Sequence, residues 1–493
     1  MKKIIIITSL FFIIFLETRS HSYGGPQVND RNVVPVFVPK FYQVNFLQIP
    51  ADVNINTAIL RDIIFNKDDV NISEKLINSY AWRKLERGKI INLKQINQNI
   101  KNINNLSGIK ASAELKKNLD NSIDLIITLI NTKPVKATIR VDNSGSKTTH
   151  YVKTTTSFSY DNAFNQGETL GLKQIHTMAN GTNYYELNKK LFLEDDGSSL
   201  AFRAATMRYD HGDYARATSN GLEGNSNFFD INYVKPVWYE ENLEAKLGIG
   251  FYRGGFHVYK NSGATEEEDT VNQRLDLAAH FNFSDSIFNK AVTNARIIFS
   301  KGKTDLSNTA TDLSKANDTA GLDGFFTKIN PAFSRREKIN EKNDLIIKFK
   351  GQYAFNNIEG SEEFTLGGTY NVRSYPNNES GGDSGFIFTT ELEHQLRKNL
   401  TTSLVFDYGK IRTVMDPYSG WQPTFYDGQK NEYSLKSWGI VADWTVIPGS
   451  VIKVQLIDRI GSNNQRTNTN SIGSDVDRTE HETKFLLSFT QNF

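Results

Sequence analysis

Phe364–Phe388 reads FTLGGTYNVRSYPNNESGGDSGFIF, and its composition suits no ordinary surface loop. Two adjacent glycines, Gly367 and Gly368, precede Val372-Arg373-Ser374-Tyr375, and a second cluster follows at Gly381, Gly382 and Gly385, interrupted by Asp383. Glycines at both ends permit tight reversals and close backbone approach that a Cβ would block. The middle then becomes a tip that must sit somewhere defined. Arginine carries five donors in a rigid fork and keeps its charge, so a buried Arg373 requires an acidic partner.

Outward from this stretch, composition narrows the class. Among 493 residues only 38% are apolar while 12% are aromatic, which favours many half-buried aromatic strands over one large aliphatic core. There are no cysteines, and the net charge of +2 offers no bulk argument for nucleic acid. A mean hydropathy of −0.45 excludes a bundle of membrane helices. Lys2 and Lys3 ahead of an apolar run from Ile4 to Leu16, followed by Ser20-His21-Ser22, define a signal peptide over 1–22. That run is too short to span as a helix, which needs about 20 residues. The chain is therefore exported, and any membrane crossing must use strands.

Residues 23–39 carry Pro26, Pro35 and Pro39 and read as a short extended lead-in. A mixed pattern follows over 40–133. Phe41–Ile49 alternates as a strand, whereas Asn54–Phe65 and Ser73–Arg87 look helical, the latter stopped by Gly88. A third helix is expected from about Asn92 to Asn105, with Leu93, Ile96, Ile100 and Ile103 on one face. Gly108–Leu115 and Ile123–Ile130 add two strands, giving the order β-α-α-α-β-β and a small α+β domain.

From about Lys136 the period becomes two. Ala137, Ile139 and Val141 alternate with polar residues, as do Leu243 to Phe251 and Leu345 to Phe355. Alternation alone fits a soluble sandwich equally well; number and length decide. About sixteen such segments fill 136–493, at about 22 residues per strand plus connection, and a tilted membrane strand takes about 9–11. Polar runs at Asp210–Asn225, Lys303–Asp323, Phe364–Ser384, Met415–Glu432 and Gly461–Arg478 read as long connections on one side. An even, closed set of antiparallel strands is what lipid requires, since open edges cannot survive there. Phe485, Leu487, Phe489 and the terminal Phe493 share one face of the last strand, as in outer-membrane barrels.

With the apolar positions facing out, the lumen set follows. Thr402, Leu404, Phe406 and Tyr408 point outward, so Asp407 points inward beside Gly409; Glu391 and Glu393 on the preceding strand also face inward. A glycine-flanked loop over 364–385 folded into the barrel would bring Arg373 to this acidic wall. Composition by itself favours a solvated loop arginine.

The sequence resembles the two-partner secretion transporters, the haemolysin-activator and filamentous-haemagglutinin transporter group of the barrels that carry POTRA domains. The resemblance covers 40–493 and rests on GKIINLKQINQNIKNINNLSGIKASAEL (Gly88–Leu115) at the POTRA position, VDNSGS (Val141–Ser146) opening the first strand, FTLGGTYNVRSYP with GGDSGF, FDYG (Phe406–Gly409) and the terminal SFTQNF. It implies an inward loop whose arginine, Arg373, pairs with the aspartate at Asp407. Three departures stand out: Ser374 replaces the usual glycine after the arginine, 40–133 suffices for one POTRA domain rather than two, and 23–39 is too short for a plug helix with its linker.

The resemblance also implies a non-enzymatic outer-membrane pore that secretes a haemolysin- or adhesin-like exoprotein captured unfolded by a periplasmic domain. Its partners would be that exoprotein, membrane lipid and the barrel-assembly machinery, with no cofactor and no nucleic acid. No nucleophile–base set, HExxH, phosphate loop or clustered metal ligands occur in the sequence. The alternatives are a barrel-insertion factor of the same superfamily and a passive porin-like barrel.

Overall fold

The structure is a computed structural model describing residues 47–493 apart from 68–69, 148, 179–180, 211–222, 241, 261–264, 308–313, 378, 420, 422–429, 462 and 464–482. The expected signal peptide, the lead-in and the start of the Phe41–Ile49 strand lie outside the described residues, as does most of the connections Asp210–Asn225 and Gly461–Arg478.

The N-terminal domain contains β1 (Leu47–Gln48), β2 (Ile59–Lys67), α1 (Glu74–Trp82), α2 (Leu93–Asn105), β3 (Ile109–Lys117) and β4 (Ser122–Asn131). Its four-stranded sheet has the order β1-β3-β4-β2, with β2 parallel and β3 antiparallel to the central β4. Ser73 and Asn92 cap the helices by accepting from the amides of Leu76 and Gln95, which satisfies N–H groups left open at a helix start. Ile96, Ile100 and Ile103 on α2 are fully buried against Leu60, Leu115, Ile123 and Leu125 of the sheet.

Two segments differ from the pattern their sequence predicts. Asn54–Phe65 is not a helix: its second half belongs to β2. A bulge explains the misreading, because Leu60 pairs with Ile123 and Asp62 with Asp124, leaving Arg61 as the extra residue. Buried Leu60 and Ile63 therefore lie three apart and imitate a helical period. The next helix stops at Trp82 rather than Arg87, since the Asn99 side chain donates to the carbonyls of Ala81 and Arg83, both at 2.9 Å, and takes over the helix end.

Sixteen strands then close into an antiparallel barrel. They are β5 (Val135–Asp142), β6 (Lys153–Asp161), β7 (Thr169–Thr177), β8 (Thr182–Phe192), β9 (Ser199–Asp210), β10 (Glu223–Glu240), β11 (Leu243–Lys260), β12 (Thr265–Asp285), β13 (Ala291–Leu306), β14 (Gly324–Lys338), β15 (Asn343–Ala354), β18 (Ser384–Arg397), β19 (Leu400–Arg412), β20 (Glu432–Ile447), β21 (Ser450–Arg459) and β22 (Thr483–Asn492). β16 (Phe364–Thr365) and β17 (Gly381–Gly382) form a separate two-stranded neck inside the loop between β15 and β18. The VDNSGS motif closes the first strand rather than opening it: β5 starts at Val135 and ends at Asp142, whose carboxylate accepts the Ser144 amide at 3.0 Å.

Period two is visible in exposure. Leu247, Leu277, Leu404, Trp438 and Ile440 are exposed on the outside, while Asp407, Thr389 and Ser437 are buried within. A continuous apolar outer belt is expensive in water and suits lipid. Closure is short: β22 meets β5 from Ser488↔Asp142 to Asn492↔Thr138, and the Phe493 amide adds a bond to the Ala137 carbonyl at 2.9 Å.

The domain docks on the short-turn end of the barrel. The amides of Ser73 and Ser107 donate to the carbonyls of Asn165 (2.9 Å) and Gly167 (2.8 Å), and the Tyr80 hydroxyl to the carbonyl of Glu194 (2.9 Å). Burial pushes the Tyr80 phenol further up from its ordinary pKa, so it stays a donor. Arg83 reaches Asp195, Lys94 reaches Glu240 and Lys101 reaches Glu244 at 2.8–3.1 Å.

Candidate functional site

The connection from β15 to β18 runs into the lumen and is held at several places. Its first arm makes a single 3₁₀ turn, Gly360–Glu362. There the Glu362 carboxylate accepts from Arg274 at 2.7 and 2.9 Å and pairs with Lys328 at 2.7 Å. Glu359 accepts from Asn272 at 2.6 Å, and the Arg274 guanidinium also stacks 4.2 Å from the centre of the Tyr252 ring. Lys328 and Glu362 are each 2% exposed, so removing either would strand a buried charge.

Beyond the neck the chain folds back on itself: the Gly367 amide donates to the Glu379 carbonyl (2.9 Å) and the Val372 amide to the Leu366 carbonyl (2.9 Å). Phe364, Leu366, Val372 and Tyr375 pack against Ile387, Ile411 and Leu435 of β18, β19 and β20. Burying each large apolar side chain contributes about 1.5–3 kcal/mol. Gly409 makes this contact possible, because a Cβ there would lie 2.8 Å from Leu366 Cδ2 and 2.9 Å from Val372 Cγ2. The space beside Asp407 is thus filled by the loop. Gly367 is equally constrained, since a Cβ would meet the Pro376 carbonyl oxygen at 2.2 Å.

Arg373 sits at the tip, 7% exposed. Its backbone amide donates to Asp407 Oδ2 at 3.3 Å, its Nε lies 3.4 Å from the same oxygen, and its Nη2 contacts Glu391 Oε1. Glu391 also pairs with Lys348 at 3.0 Å. Asp407, fully buried, accepts further from Thr389 Oγ1 (2.9 Å) and Ser437 Oγ (3.0 Å). Register explains the assembly: Lys348, Thr389, Asp407 and Ser437 are successive cross-strand partners on β15, β18, β19 and β20 and therefore share the lumen face. Two cations and two carboxylates close a neutral cluster. The guanidinium is divided between Glu391 and Asp407 rather than held bidentately by Asp407, which differs from the simplest pairing the sequence suggests.

The remaining motif residues have distinct places. Ser374 is buried, small enough for the turn after Arg373. Tyr375 is fully buried, with the Arg459 guanidinium 4.4 Å from its ring centre and its carbonyl accepting from Lys484 at 3.1 Å. Gly368 has φ +123°, while a Cβ on Gly382 or Gly385 would strike the carbonyls of Arg412 or Lys410. Asp383 accepts from the amides of Ile358 (3.2 Å) and Met415 (2.5 Å). Phe406 points outward, away from the cluster. On the far wall Tyr370 accepts from Arg140 of β5, and Asn377 donates to the Ser144 carbonyl at 2.8 Å. The loop therefore crosses the lumen from β12–β14 to β5.

The first-arm anchor of Glu359, Glu362, Asn272, Arg274 and Lys328 lies outside the residues that the sequence motifs single out. A signal existed: EGSEE at Glu359–Glu363 opens the loop with three acids, and the two-residue period places Arg274 and Lys328 inward.

A closed sixteen-stranded barrel with a docked α+β domain and a loop clamped across its lumen defines a transmembrane protein-transport barrel. Comparison narrows the class: the family of haemolysin secretion/activation proteins ShlB/FhaC/HecB matches residues 121–420, and the chain belongs to that family of two-partner secretion transporters. No curated protein matches the sequence. Among solved structures it is similar to CdiB from Escherichia coli (TM-score 0.71, 13% identity, 88% of this chain and 76% of that one) and to CdiB from Acinetobacter baumannii (0.66, 14%, 88% and 74%). It is also similar to BamA from Haemophilus ducreyi lacking POTRA domains 1–3 (0.55, 15%, 88% and 85%). At these identities the likeness is one of fold.

Proposed function

We propose that this barrel secretes one exoprotein across the outer membrane, with the segment 40–133 as a periplasmic POTRA-like capture domain and the inward loop as the gate. The observation that carries the reading is the loop itself, which crosses the lumen from wall to wall yet is fastened at its tip by a neutral cluster of four charged side chains. Such clusters contribute position more surely than stability, so they suit a contact that must be made and broken. A passive porin has no use for a releasable clasp of this kind. Capture would use the outer edge of β2, which past Leu60 pairs with no other strand among the described residues and can add an extended segment by backbone hydrogen bonds. Folding of the cargo outside would supply direction.

The test is co-expression with an exoprotein encoded beside this gene, comparing the full chain with one lacking 47–131. The truncated form should still show heat-modifiable mobility but release no exoprotein to the medium. Undiminished release would show that the domain captures nothing. Loss of outer-membrane proteins generally on depletion of the full chain would favour the barrel-insertion alternative.

A further inference from the structure

Apart from the clamp, the lumen wall carries a line of basic residues at one level of the sheet. Lys246 is the cross-strand partner of His280, His280 of Arg296, Arg296 of Ala332 and Ala332 of Lys350. Paired residues share a face, and the neighbours Leu247 and Ile297 are exposed outside, so the line faces the lumen. Across β11 to β15, at about 4.8 Å per strand, it covers roughly 19 Å. It also climbs. Lys246 is three residues past Leu243, where β11 leaves the domain end, whereas Lys350 is seven past Asn343, the corresponding start of β15.

One end meets the docked domain and the other the inward loop. At the bottom Glu244 pairs with Lys246 and with Lys101 of α2, each at 3.1 Å, which joins the line to the docked domain. At the top Lys350 donates to the Asn371 side chain, two residues before Arg373. Alongside run Gly248, Ala278 and Ile298, the next inward level, which leave an uncharged floor beside the cations. Arg296 and Lys350 border a cavity roofed by Phe364 of the loop, and neither forms an ion pair with a carboxylate among the described residues.

We propose that this line is a cationic rail, taking the carboxylate side chains of the exported chain from the docked domain up to the foot of the inward loop. The inference rests on the secretion reading and adds which side chains of the cargo the lumen engages. A carboxylate released by one cation finds the next two strands away, with the His280 imidazole between Lys246 and Arg296 as a hydrogen-bonding group. In a wet lumen each contact is weak, which permits stepping rather than trapping. Steering of this kind is screened by salt.

The experiment uses the full-length protein in planar bilayers, with decaglutamate or decalysine added on the domain side. Decaglutamate should interrupt the current at low salt and decalysine should not. Lys246→Gln/Arg296→Gln should reduce the frequency of interruptions by about tenfold, the lower range of electrostatic steering effects. Arg296→Lys should retain most of it, which separates loss of charge from loss of fold. Equal interruption by both peptides, or an unchanged frequency in the double variant, overturns the rail. In cells, wild-type release of exoprotein with undiminished release by Arg296→Glu overturns the rail and leaves secretion standing, whereas no release by the wild type removes both.

Discussion

Arg373→Ala is the perturbation that tests the clamp most directly. It leaves Glu391 and Asp407 with three of their donors, Lys348, Thr389 and Ser437, but without the guanidinium between them. Removing one member of a buried ion pair costs about 3–5 kcal/mol, and the surviving donors place this case at the lower end, about 3 kcal/mol. That corresponds to about a 150-fold shift toward the released tip. The backbone amide of Arg373 can still reach Asp407, and the apolar contacts of Val372 and Tyr375 remain, so the tip should loosen while the first arm stays on Arg274 and Lys328. In bilayers the variant should conduct more and fluctuate more; in cells exoprotein release should fall sharply while heat-modifiable mobility persists. Arg373→Lys should restore only part, since a point charge cannot serve Glu391 and Asp407 from one planar fork. Double-mutant cycles then pair Arg373→Ala with Asp407→Ala and with Glu391→Ala. Coupling should appear in both, and losses that simply add would refute the shared clamp.

Glu362→Gln removes the carboxylate between Arg274 and nearly inaccessible Lys328, and should lower the temperature at which the barrel loses its compact gel mobility more than Arg373→Ala does; an unchanged temperature would show that the first arm is no anchor. Gly409→Ala should already loosen the seat, because its Cβ would press on fully buried Leu366 and on the stiff, β-branched Val372, and Gly409→Leu, which overpacks the contact by about 1–3 kcal/mol, should raise conductance further as the loop is displaced. If Gly409→Leu conducts as the wild type does, the loop does not seat on that strand.

The barrel was legible because one physical rule repeats along 358 residues: each strand shows one face to an apolar exterior and one to a polar lumen. The same rule fails where a strand is irregular. In β2 the bulge at Arg61 converts a period of two into a spacing of three, and only pairing to β4 reveals it. The clamp was legible to the extent that it needs facing, since alternation alone sets Glu391 and Asp407 on the lumen side. How the fork divides between them depends on register across β18 and β19, which no single strand encodes. The first-arm anchor joins Arg274 to Glu362, residues 88 apart, and nothing local ties them.

The two anchors differ in what it takes to undo them. Lys328 and Glu362 are nearly inaccessible, and Arg274 is also engaged by Asp276 and the Tyr252 ring, so any partner replacing Glu362 would have to enter a buried, crowded site. At the tip, each carboxylate of the cluster keeps a second partner: Glu391 has Lys348, and Asp407 has two hydroxyls. Withdrawing Arg373 therefore strands less charge than withdrawing Glu362 would. The loop should yield first at Arg373 and pivot on Glu362, opening the lumen beside β18 and β19 while its base remains on β12 and β14. A probe pair reporting the distance from residue 373 to the wall should change during secretion well before one placed at residue 362; simultaneous release of both would mean that the loop leaves as one rigid piece.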